Sequence, residues 1–161
     1  MSWHVTGLAT DHTASIQSLL KDYLQSNWSS SVPVSGYFVK FSTGWYDEQN
    51  QFQVHVRHDI AMPVNRITLG NRPMNKYNDM CQVHCFAEEQ QDNAEPANLD
   101  KMCNEVARIV GSNTTGLESS QGVCTLEIAS TPRVLPVEMA HEAAIFHSVQ
   151  KVRLIYHKVF S

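Results

Sequence analysis

Apolar residues recur along this chain with two distinct periods. Ile16, Leu19, Leu20, Tyr23 and Leu24 follow the i, i+3, i+4, i+7, i+8 spacing of a single helical stripe, which predicts a helix over Thr13 to Ser26 with Thr10, Asp11 or Thr13 available as a cap. Leu99, Met102, Cys103, Val106 and Val110 form a second stripe, with Pro96 suited to its first turn and Gly111 to its stop. Elsewhere the period is that of strands. Phe52, Val54 and Val56 alternate with Gln51, Gln53, His55 and Arg57, as in a strand covered on one face.

Shorter apolar runs extend the pattern. Tyr37 to Phe41 reads as a strand that pairs in a hairpin with the Phe52 to Arg57 segment across the polar turn Ser42 to Asn50. Met80 to Ala87 and Val123 to Ala129 are further strands, with an acidic, Gln-rich turn at Glu88 to Glu95. Asp59 to Asn78, interrupted by Pro63, Gly70 and Pro73, reads as a long excursion, and Ser130 to Glu138 as a Pro-containing loop. Ile145, Val149, Val152, Leu154, Ile155, Tyr156, Val159 and Phe160 carry β-forming chemistry almost to Ser161, so the last strand is expected to be tied into a sheet, with a bulge between Val149 and Val152. The order is helix, two strands, excursion, strand, helix, two strands. That is an α+β fold over residues 1–161: one domain, a mixed or antiparallel sheet, and two main helices packed on it.

Composition narrows the function. A net charge of -4, from 12 basic and 16 acidic residues, leaves no clustered cationic footprint for nucleic acid. Charged residues make up only 17%, below the roughly 25% usual for soluble domains, and a polar but weakly charged surface suits burial against protein neighbours. The first ten residues lack the basic and apolar stretches of a signal peptide, and no run approaches the roughly 18 apolar residues of a membrane span, so a cytoplasmic site of synthesis and no membrane contact are expected. Cys81, Cys85, Cys103 and Cys124 sit in apolar patterns and are expected to be reduced, buried thiols.

The candidate chemistry is sparse. Cys81, His84 and Cys85, with His55 and His58 upstream, are the one set with zinc-ligand chemistry, but strand alternation sends both cysteines to one face and His84 to the other. His141, Glu142 and His147 miss the spacing of a zinc-protease helix. Cys103 lies on a helical stripe and Cys124 in an alternating strand, where core packing is the simpler role. Gly116 to Gly122 lacks a phosphate-loop ending, and Glu88 and Glu89 read as solvated turn residues. With no convergent acid, base and nucleophile, the expectation is a non-enzyme with no cofactor and no metal.

The first helix ending in Tyr23-Leu24, the strands Tyr37 to Phe41 and Phe52 to Arg57, the strand Met80 to Phe86 leading to the Leu99 to Val110 helix, and the final strand with His147-Ser-Val149 and Val152-Arg-Leu-Ile-Tyr156 share a layout. It resembles the tail terminator and tail completion proteins of long-tailed bacterial viruses. The resemblance implies a structural virion protein, made in the host cytoplasm, that closes the head-proximal end of a tail tube as a ring of six. Its partners would be further copies of itself, the tail tube protein, and the head connector or stopper, with DNA passing through the ring without specific binding. A head-to-tail adaptor or stopper is the alternative within that class; a small cytoplasmic enzyme with a His/Cys site is the alternative outside it. The excursion supplies the contact candidates, with Met62, Val64 and Ile67 as apolar residues and Arg66 and Arg72 as partners for a neighbour's carboxylates.

Overall fold

A computed structural model describes residues 3–4, 12–47, 49–61, 65–69, 72–90, 97–112, 117–119, 122–135, 138–140 and 143–159. In chain order the elements are β1 (Trp3–His4), α1 (His12–Asn27), β2 (Val39–Ser42), β3 (Phe52–Ala61), β4 (Asn65–Leu69), β5 (Arg72–Gln90), α2 (Ala97–Gly111), β6 (Leu117–Ser119), β7 (Gly122–Ile128), β8 (Arg133–Val134), β9 (Glu138–Ala140) and β10 (Ala143–Val159). The strands form one mixed sheet ordered β2-β3-β5-β10-β7-β6. Both helices pack on it, α1 over β3 and β2, α2 over β7, β10 and β5. This is the expected α+β architecture. Neither helix is long and apolar enough to cross a membrane.

The two helical stripes face the sheet. Ile16, Leu20 and Leu24 of α1 and Leu99, Met102, Val106 and Ile109 of α2 are buried in one cluster with Phe52, Val54, Val56, Cys81, Val83, Cys85, Ala87, Val152 and Leu154 from the central strands. Leu19 and Tyr23 flank that cluster. The helix ends are tied together: Arg108 donates from Nη2 to the Asn27 carbonyl at 2.9 Å, placing a cation at the negative end of α1.

Several expectations need correction. Strands β2 and β3 do not form a hairpin; they run parallel, with Val39 opposite Phe52 and Ser42 opposite His55. Residues 43–51 are therefore a short crossover that must travel back along the sheet. The excursion contains a true hairpin instead: β4 pairs antiparallel with the first part of β5, Ile67 opposite Met74 and Leu69 opposite Arg72. The polar residues and Pro73 hide most of its strand period in the sequence. Strand β5 also continues through Glu88 and Glu89, which pair with β10 in place of turning. The loop expected at 130–138 holds the short strand β8, and β9 begins at its end; both pair with β10.

The register change falls in β3 and not in β10. Pairing of β10 with β5 is continuous from Ala143 to Val159, whereas β3 shifts against β5 between His58 and Ile60. A bulge leaves a backbone group without its ladder partner. Here the His58 N–H donates to Gln17 Oε1 of α1 at 2.9 Å, so a helical side chain completes the strand. Replacing Leu20, fully buried, by Ala is expected to cost about 2–4 kcal/mol through lost burial and a cavity. Gln17→Ala, which orphans the His58 amide, should cost about 1–2 kcal/mol, and Lys101→Ala on the exposed side of α2 less than about 0.5 kcal/mol. Urea melts of the three variants test that order.

Candidate functional site

Strand alternation splits the Cys/His set as the spacing predicts. Cys81, Val83 and Cys85 enter the helix-covered core, while Gln82, His84 and Phe86 occupy the opposite face. Register then gathers residues remote in sequence on that second face. His55 of β3 stands opposite His84 of β5, and His147 of β10 stands opposite Phe86. The crossover 43–51 runs over this face and lays Trp45 on it, at centroid distances of 4.8 Å from His84, 5.8 Å from Phe86 and 6.0 Å from His147. Phe86 and His147 stack at 4.0 Å, and Tyr46 packs on Phe86 at 5.0 Å. The Arg57 guanidinium lies 6.0 Å from the centre of the Trp45 ring.

Hydrogen bonds determine the tautomers. His84 Nε2 lies 2.9 Å from Gln82 Oε1, an acceptor, so that nitrogen carries the proton; His84 Nδ1 must then accept from His147 Nε2–H at 2.8 Å. By the same logic His55 donates from Nε2 to Gln53 Oε1 at 2.8 Å and accepts at Nδ1 from the Ser42 hydroxyl at 2.5 Å. Ser42 Oγ in turn accepts the Gly44 N–H at 3.0 Å.

The crossover is anchored by Gln53, which is fully buried. Its amide donates to the carbonyls of Asp47 at 2.5 Å and Asn50 at 2.7 Å, and its oxygen accepts the Asp47 N–H at 3.0 Å. Asp47 also pairs with Lys40, whose hydrogen bond is the main reason its carboxyl is held down at about 2. Gln53→Ala is expected to release the crossover: Trp45 emission should shift to the red and amide exchange across 43–51 should accelerate at least tenfold, with little change in the helices.

All three imidazoles are held neutral. Burial lowers His55 and His147 to about 4, and Lys40 reinforces the effect at His55 as His84 does at His147. Burial also lowers His84, with Arg57 adding to it and Asp59 opposing. The Ser42–His55 contact has the outline of a nucleophile and its base. An efficient base needs a pKa near the working pH and a carboxylate behind it; His55 titrates near 4 and is backed by the neutral amide of Gln53. Among the described residues no three His, Cys, Asp or Glu side chains converge as metal ligands. The face is thus a bonded polar and aromatic lattice, with Trp45 left 53% exposed on top of it.

Of the contact candidates, Met62 and Val64 lie outside the described residues, as do His141 and Glu142. Arg66 and Ile67 are on β4 and Arg72 opens β5, so these three share one hairpin. Trp45, Tyr37 and Phe38 were missed by sequence reasoning; three aromatics within a short polar stretch were the available signal. A search of known protein families and of curated proteins finds no match to this chain.

Proposed function

We propose that this chain is a structural subunit that assembles head to tail into a ring, acting as the terminator of a long viral tail and joining it to the head connector. The observation that carries the reading is the exposed aromatic set around edge strand β2. Phe38 is 72% exposed and Tyr37 55% exposed immediately before it, and Trp45 follows it at 53%. Uncovered aromatics are the usual anchors of a protein interface. The loop that presents them is ordered by its own bonds: Trp28 Nε1 donates to the Val32 carbonyl at 3.0 Å, and the Tyr37 N–H donates to the Val34 carbonyl at 3.2 Å across Gly36, whose φ of 85° suits the third position of a type II turn.

Strand directions favour a heterologous contact. β2 is parallel to β3, and each following step through β5, β10, β7 and β6 is antiparallel. The two ends of the main strand order, β2 and β6, therefore run the same way. An edge of one copy meeting the other edge of the next is a head-to-tail contact, which closes into a ring when the rotation permits. The β4–β5 hairpin, with Arg66, Ile67 and Arg72, continues the sheet past Cys81 and offers a second surface to the tube or the neck.

Native mass measurement of the purified protein is the direct test. A closed assembly of a fixed number of copies that caps isolated tail tubes is expected. Protein that stays monomeric at high concentration and does not bind tubes would end this reading.

A further inference from the structure

We propose that Cys103 and Cys85 form a redox-active dithiol, which hydrogen peroxide or another small hydroperoxide converts to a disulfide stapling α2 to the sheet. The two thiols come from elements brought together only by folding. Cys85 lies on β5 directly opposite Ser148 of β10, and both side chains point at α2. Cys103 of α2 lies over them with its sulfur 2.9 Å from Ser148 Oγ, in the same buried cluster as Cys85. All three groups are buried, and Cys103 is the most accessible at 5%. Cys81 cannot pair with Cys85: four residues along the same strand places the two about 13 Å apart, beyond the reach of a disulfide.

The polarity of the pair is set by its hydrogen bonds. Cys85 and Ser148 both stabilise a thiolate on Cys103, lowering it to about 7 against the opposing effect of burial, whereas Cys85 is raised by its bond to Cys103 and by burial. Cys103, the more accessible of the two, is the attacking sulfur and Cys85 the resolving one. The Cys103 thiolate attacks a peroxide oxygen, the O–O bond breaks, and the departing hydroxide takes a proton to leave as water, with Cys103 now a sulfenic acid. The Cys85 sulfur then attacks the Cys103 sulfur; the S–S bond forms, the S–O bond breaks, and hydroxide leaves with the Cys85 proton as a second water. Two thiols lose two electrons and one peroxide gains them.

The test uses the full-length folded protein, reduced and then exposed to hydrogen peroxide, followed by alkylation under denaturing conditions and peptide mapping. A Cys85–Cys103 linked peptide is expected, with Cys81 still alkylated, and the oxidised protein should melt on the order of 5–10 °C higher until dithiothreitol reverses it. In Cys85→Ser, Cys103 should stop at the sulfenic acid and be trapped by dimedone. Full alkylation of every thiol in the peroxide-treated wild type would overturn the proposal, as would a link through Cys81 or Cys124, or a Cys85→Ser protein that gives no dimedone adduct. None of these readouts depends on ring assembly.

Discussion

Phe38→Glu is expected to abolish assembly while leaving the fold untouched. The residue is 72% exposed and outside the core, so its replacement should change stability by less than about 0.5 kcal/mol. In the proposed ring the same position would be an anchor, and a carboxylate buried there without a partner costs several kcal/mol. Sedimentation should therefore show monomers or open fragments, with a circular dichroism spectrum and melt like those of the wild type. Ile67→Asp, on the β4–β5 hairpin opposite Met74, extends the test to the second surface, and virions carrying it should lack joined heads and tails. If Phe38→Glu protein forms the same closed assembly as the wild type, the β2 edge is not the contact.

Acid should weaken the fold well above the range in which its carboxylates titrate. His55 and His147 are lowered to about 4 by burial, and His84 is lowered too, so the unfolded chain binds more protons than the native one once the pH drops below the ordinary histidine value of 6.5. Stability contributed by these groups is complete above that value and falls as the pH goes from 6.5 toward 4. The fully buried His55 contributes roughly 3 kcal/mol, and His147, partly exposed, is discounted to about 1–2 kcal/mol. A loss on the order of 3–5 kcal/mol between pH 7 and pH 4.5 is thus expected from urea melts. Asp47, held at about 2 by Lys40, titrates below this window and does not confuse it. His147→Gln should shallow the pH slope while keeping a hydrogen-bond donor for His84. A stability that is flat from pH 7 to pH 4.5 would show the three imidazoles to be freely solvated.

What the sequence by itself determined is whatever depends on residues near one another along the chain. The stripes Ile16-Leu20-Leu24 and Leu99-Met102-Val106 announce helices because side chains three and four apart share a face. Alternation from Phe52 to Val56 announces a strand, and it separates Cys81 and Cys85 from His84 without any knowledge of partners. Strand pairing is another matter. The parallel pairing of β2 with β3, the β4–β5 hairpin, and the bulge completed by Gln17 all turn on which strands meet, and local pattern carries no record of that. The site follows the same rule. In the sequence His55 and His84 group with Cys81 and Cys85, and His147 with His141 and Glu142; the three histidines become one neutral network because the registers β3–β5 and β5–β10 align them, and because a parallel pair requires a crossover that brings Trp45 over their face. Cys103 and Cys85 likewise read as separate core residues until α2 is placed on the sheet beside Ser148. Local periodicity set the elements, whereas register, a long-range property fixed by burial of one face and by loop geometry, decided which side chains share a site.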